Sequence, residues 1–130
     1  MVEHYFEQWQ VYGHTHEPQV GACAHMHVAS DSQAARDDFV VWYKNYWHWV
    51  QKLIRDYTPQ AQEVGFDYDN LLSGPAIVGS PQEVVDRISR ARELLSLERM
   101  IVMADLGGIP DAALYGTLEL FGAEVMPHFS

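Results

Sequence analysis

A short apolar run near the C-terminal end, Met100 to Leu106, does most to limit what this chain can fold into. An unbroken run of that length, closed by the turn residues Gly107, Gly108 and Pro110, reads as a parallel strand covered on both faces. Parallel strands cannot be joined by a hairpin; they need a crossover, ordinarily a helix. The rest of the sequence supplies both a partner strand and the helices. Val20 to Ala29 is the second strand, with Ala24, Met26 and Val28 on one face and Cys23, His25 and His27 on the other. The two strands are expected to be parallel neighbours in one sheet.

Around them the hydrophobic spacing predicts four helices. Val2, Tyr5, Phe6 and Trp9 mark the first, over residues 2 to 12, with Gly13 as a left-handed stop. Ser30, Asp31 and Ser32 offer N-cap oxygens to a long second helix, Gln33 to Tyr57, which Pro59 ends. Phe39, Tyr43, Tyr46, Val50 and Leu53 or Ile54 form its stripe, while Trp42, Trp47 and Trp49 spread the apolar surface around it. A helix so broadly apolar packs against several neighbours, and a partner chain is expected to meet it. Residues 58 to 75 read as irregular, anchored by Phe66, Tyr68, Leu71 and Leu72. Ser80, Pro81 and Glu83 then form a strong helix start with a capping box. Val84, Val85, Ile88, Leu94 and Leu95 give that helix its buried face. The last helix, Asp111 to Val125, buries Leu114, Leu118, Phe121 and Val125 before Pro127 stops it.

At 130 residues the chain is expected to be a single domain, residues 1–130. Its formal charge of −10 argues against a nucleic-acid or anionic-membrane surface, both of which call for clustered Lys and Arg. One cysteine, Cys23, allows no internal disulfide, and no signal peptide or membrane span is evident. A soluble cytoplasmic protein is the expectation.

Strand–helix alternation says α/β and nothing about chemistry. The stretch from Gly79, "GSPQEVVDRISRARELLSLERMIVMADLGGIPDAALYGTLELFGAEVMPHF", says more. It is similar to the end of luciferase-like flavin-dependent monooxygenases: a Gly-Ser-Pro helix start, a last strand, an Asp-Leu-Gly-Gly-Ile-Pro turn and a final helix ending Glu-Val-Met-Pro. "VGACAHMHVASDSQAARDDF" resembles the strand and helix before it. The resemblance covers nearly the whole chain. It implies a partial (β/α) barrel, two parallel strands with about four helices, corresponding to the last strands of a (β/α)₈ barrel. It implies oxidation of a small organic molecule by reduced flavin and dioxygen, with FMN or a related flavin, or a deazaflavin, as cofactor. The family's flavin-phosphate elements have no counterpart here, so tight binding by this chain alone is not expected. Two strands cannot close a barrel. The expectation is therefore a homo-oligomer, or a partner chain supplying the missing strands around a composite site. A non-catalytic oligomeric remnant and a small apolar-ligand binding module are the alternatives.

Candidate site residues follow from position. His25 and His27 share one strand face that a barrel would turn inward, and either can act as general acid or base. Their alternative is a pair of hydrogen-bonded interior histidines. Gly107 and Gly108, with Asp105 before them, stand where barrel active sites form and would let backbone approach a flavin. The alternative is the positive φ of a tight turn. His14, His16, His25 and His27 form two His-x-His pairs, but metal-site spacings are missing and no metal is expected. Cys23 reads as a buried, inert thiol.

Overall fold

The computed structural model describes residues 1–58 and 65–129. Helix α1 (Val2–Val11) precedes strand β1 (Gly21–Val28) and the long helix α2 (Ser32–Tyr57). Short helix α3 (Tyr68–Ser73), strand β2 (Ala76–Gly79), helix α4 (Pro81–Leu95), strand β3 (Arg99–Met103) and helix α5 (Asp111–Leu120) follow. The C-terminus continues as a π-type turn, Phe121–Val125, and a 3₁₀ turn, Met126–His128. Pro59 lies outside the described residues, and α2 ends at Tyr57. No helix among the described residues is long and apolar enough to cross a membrane.

The three strands form one open parallel sheet in the order β2-β1-β3. The expected pairing of the first and last strands is present, running from Gly21 opposite Arg99 to His25 opposite Met103. The third strand, β2, is an addition to the sequence reading, which left residues 76–78 unassigned between the irregular stretch and the helix start at Gly79. It pairs with the upper half of β1, from His25 opposite Ala76 to Val28 opposite Gly79. Pro75 sets its start: extending the ladder one step would need an N–H that proline lacks.

Helices cover both faces of β1. On one face Ala24, Met26 and Val28 pack with Ile77, Val84, Val85, Ile88 and Val125. On the other, Ala35, Phe39 and Tyr43 of α2 bury with Leu71, Ala76, Val78 and Leu106. Burying a side chain such as Phe39 is worth about 1.5–3 kcal/mol. Phe66, Tyr68 and Leu72 pack against this second cluster, as expected of anchors. Asp31 caps α2 through the Ala34 N–H at 2.8 Å. Ser80 caps α4 through the Glu83 N–H at 3.4 Å. The other half of the expected capping box does not form: Glu83 pairs with Arg36 at 2.5 Å, and the Ser80 N–H goes to Ser32 Oγ.

Four expectations about burial are corrected. Cys23, expected to be buried, is exposed near the start of β1, beside its register partner Ile101 on the same bare part of the sheet. β3 is covered on one face only, and Ile101 is 57% exposed, because α2 packs over β2 and β1 and leaves that face of β3 bare. Leu94 and Leu95 are exposed and line a groove beside β1 where β2 stops short. Leu118 is exposed too, since α5 turns Thr117 rather than Leu118 toward the sheet.

Candidate functional site

His25 and His27 point from β1 toward α2, so the helix side chains define their surroundings. The His25 ring lies 5.3 Å from Tyr43 and 5.2 Å from Tyr46, and its Nδ1 is 3.2 Å from the Tyr43 hydroxyl. Trp42 meets the His27 ring edge-on at 4.9 Å, and Phe39 stacks at 6.5 Å. The spacing of Phe39, Trp42, Tyr43 and Tyr46 places all four on the side of α2 that faces the strand.

His27 is 3% exposed and its polar contacts are specific. Its Nδ1 lies 2.7 Å from Thr117 Oγ1 of α5. The same hydroxyl is 3.3 Å from the Val28 N–H and 3.1 Å from the Val28 carbonyl. One assignment satisfies all three partners: Thr117 donates to the Val28 carbonyl and accepts from Val28 N–H and from His27 Nδ1–H. β3 stops beside the lower half of β1, and Thr117 takes up the strand edge that β3 leaves open. His27 Nε2 is then an unprotonated acceptor, buried and without a partner among the described residues.

Desolvation lowers the pKa of both histidines below the ordinary 6.5; for His27 the Asp38 carboxylate opposes that shift. Both rings are therefore neutral at pH 7. Burial raises the Tyr43 phenol, with Tyr46 adding to the shift, so Tyr43 keeps its proton beside His25.

Gly107 and Gly108 follow β3 with φ of 60° and 78°, the left-handed geometry expected of the turn. This turn packs on the same stretch of α2. The Gly107 carbonyl accepts from Asn45 Nδ2, and a Cβ on Gly107 would collide with the Trp42 carbonyl. All four candidate residues thus converge on residues 42–46 of α2. Asp105 is exposed at the mouth of the turn. Thr117 escaped the sequence reading; its signal was a hydroxyl at helical spacing between Leu114 and Phe121, inside an otherwise apolar stripe.

The other pair, His14 and His16, serves packing. Both rings lie against Trp9, at 4.2 and 4.7 Å, and Trp9 Nε1 donates to the His16 carbonyl at 2.8 Å. Among the described residues no three His, Cys, Asp or Glu side chains gather as a metal site would require. The groups touching His25 and His27 are aromatic or hydroxylic. They suit an aromatic ring system and offer no cation for a phosphate.

Two solved structures share this architecture. The monooxygenase RslO1 from Streptomyces bottropensis superposes with a TM-score of 0.76 at 18% identity, covering 99% of this chain and 37% of its own. The oxygenating constituent of 3,6-diketocamphane monooxygenase from Pseudomonas putida, a type II Baeyer–Villiger monooxygenase solved with FMN, gives 0.70 at 20% identity, covering 99% and 39%. The chain therefore spans less than two-fifths of either protein. No curated protein matches it. The family model for luciferase-like monooxygenases matches residues 1–98, and on that match the chain belongs to the luciferase-like monooxygenase family.

Proposed function

We propose that this chain is a component, or a shortened homologue, of a luciferase-like flavin-dependent monooxygenase whose active site is completed by another polypeptide. The observation that carries this reading is the family match over residues 1–98, combined with a length that covers 37–39% of the similar structures. A relative of that fold was solved with FMN. The residues around His25 and His27 suit the ring of such a cofactor, and nothing touching them suits its phosphate. A composite site is the arrangement those two facts support.

In that site the flavin and dioxygen supply the oxidising chemistry, acting on a small organic substrate. This chain supplies proton handling. His27 carries the stronger case: Thr117 fixes its ring, and Nε2 is left as a neutral acceptor able to take a proton as general base. His25, paired with a protonated Tyr43 phenol, would exchange a proton through that hydrogen bond. The backbone of Gly107 and Gly108 would form the floor at the strand ends.

One observation favours a non-catalytic remnant instead. α2 lies directly over both imidazoles, and Phe39, Trp42, Tyr43 and Tyr46 occupy the space next to them. Two measurements separate the readings. Titrating FMN against the purified chain should show no tight binding; micromolar or stronger quenching of flavin fluorescence would mean that this chain holds the phosphate after all. Aerobic turnover with reduced flavin, the chain and a homologue supplying the earlier strands should then exceed turnover with either protein alone. Equal rates with and without this chain would leave the remnant.

A further inference from the structure

Helix α1 is ten residues long, too short to be more than marginally stable in water by itself. Helical spacing lines Val2, Tyr5, Phe6 and Trp9 along one side, with Glu3 and Glu7 on the flank of that stripe. Glu7 pairs with His4 of the same helix at 3.6 Å, and both are largely exposed. No residue of α1 is buried, and neither core cluster includes one. The helix is held by its own turn: Trp9 lies against the His14 and His16 rings and donates to the His16 carbonyl. Its apolar stripe is therefore left without a core to pack on among the described residues.

A groove suited to such a helix lies elsewhere on the chain. Beside the lower half of β1, where β2 stops short, α4 and β1 bound about 860 Å³. Ala22, Ala24, Leu94 and Leu95 line it, and Leu94 is 70% exposed. Arg87 and Arg90 line it as well, on the same face of α4 as Leu94. The one carboxylate in the lining, Glu83, is taken by Arg36 at 2.5 Å, and neither Arg87 nor Arg90 forms an ion pair among the described residues. Desolvation lowers the Arg87 pKa, with Glu83 opposing the shift. At 1.5 Å per residue, the wall from Glu83 to Leu95 is about 18 Å long and α1 about 15 Å.

We propose that α1 of a second copy fills this groove, each copy lending its helix to the other about a twofold axis. The apolar stripe then covers Leu94 and Leu95. Glu3 and Glu7, one turn apart, meet Arg87 and Arg90, likewise one turn apart. Two chains of formal charge −10 repel in general, so a dimer needs a specific attraction, and the groove offers two of the chain's eight Lys and Arg. Exchanging one terminal element is a low-cost route to a twofold dimer. The Trp9 clamp favours the second copy over the chain's own groove, because it holds α1 where no α1 residue joins the lining. Of Trp42, Tyr43, Tyr46, Trp47 and Trp49, the rival surface on α2, only Trp49 is exposed. The exchange needs neither flavin nor another protein. It stands or falls apart from the composite-site reading.

Light scattering of the purified full chain should give twice 14.9 kDa at micromolar concentration. Glu3→Lys with Glu7→Lys reverses the charge of the helix, and Arg87→Glu with Arg90→Glu reverses that of the groove. Each double variant alone should be a monomer that is still folded by circular dichroism. Mixed, the two should form a heterodimer, because each helix then meets a groove of opposite charge. A monomeric unmodified chain, a dimer that survives the helix reversal, or variants that stay apart on mixing would overturn the proposal. The helix variant touches neither core cluster, so its folding is not at stake. If the groove variant fails to fold, Leu94→Asp at its exposed position replaces it: dimer affinity should fall at least about tenfold, and an unchanged dimer would overturn the proposal.

Discussion

Thr117 and His27 are residues whose chemistry outweighs their size. One hydroxyl serves both backbone groups of Val28 and the imidazole of His27, at a position with no solvent to replace it. Thr117→Val keeps the shape and removes all three bonds. The stranded groups should cost about 2 kcal/mol or more, since each buried unpaired polar group costs about 1–3 kcal/mol. Thr117→Ser should lose far less. Urea denaturation of the two variants measures the difference; equal losses would show that the methyl, not the hydroxyl, matters. The histidines add a pH dependence of definite sign. Burial lowers their folded-state pKa below 6.5, so the unfolded chain binds more protons once the pH falls toward that value. Stability is then complete above the unfolded pKa and falls with the pH through it, levelling off below the folded pKa. His27→Gln should flatten part of that slope between pH about 7 and about 5. An unchanged slope would assign it to other groups.

At the scale of elements, legibility followed the strength of local signals. β1, α2 and the capped start of α4 were plain because pattern, cap and length agreed. β2 was not, because Ala76–Gly79 is a four-residue run between Pro75 and a helix cap, too short to show alternation. β3 read as doubly covered because a strand's own sequence cannot reveal whether a helix packs on each of its faces. The phase of α5 was missed by one residue because the stripe was drawn through Leu114, Leu118 and Phe121, and a threonine between them carries little hydrophobic signal. The candidate histidines and glycines were visible; the helix segment joining them, residues 42–46, emerged only from tertiary packing. Gly107 shows the consequence. Gly107→Ala would place a Cβ against the Trp42 carbonyl at a φ of 60°, combining a clash with left-handed strain. A loss of about 1–3 kcal/mol from the strain alone is expected, with more from the clash, read as a lower thermal midpoint. Gly108→Ala, where the nearest atom is an Asn45 side-chain nitrogen at 3.6 Å, should lose less. The tryptophans of α2 divide similarly. Trp47 packs near Phe66, and its replacement by Gln should destabilise the fold, whereas Trp49→Gln should change stability by less than about 0.5 kcal/mol.

For the whole molecule the central fact is an α/β unit with its first strand in the middle and one outer edge uncovered. Helix α1 buries no residue, so the N-terminal part of the chain adds little to the sheet's protection. Whatever meets β3 therefore contributes to the stability of the fold itself. A second copy and a chain supplying further strands would compete for the same backbone groups, and both act by mass action on the folded form. If the second copy is the occupant, the thermal midpoint of the pure chain should rise with protein concentration, because unfolding then includes dissociation. A midpoint independent of concentration in the unmodified chain would mean that the edge stays open when the chain is alone. In that case a strand from another polypeptide, added until the midpoint rises, becomes the measurement that identifies what closes it.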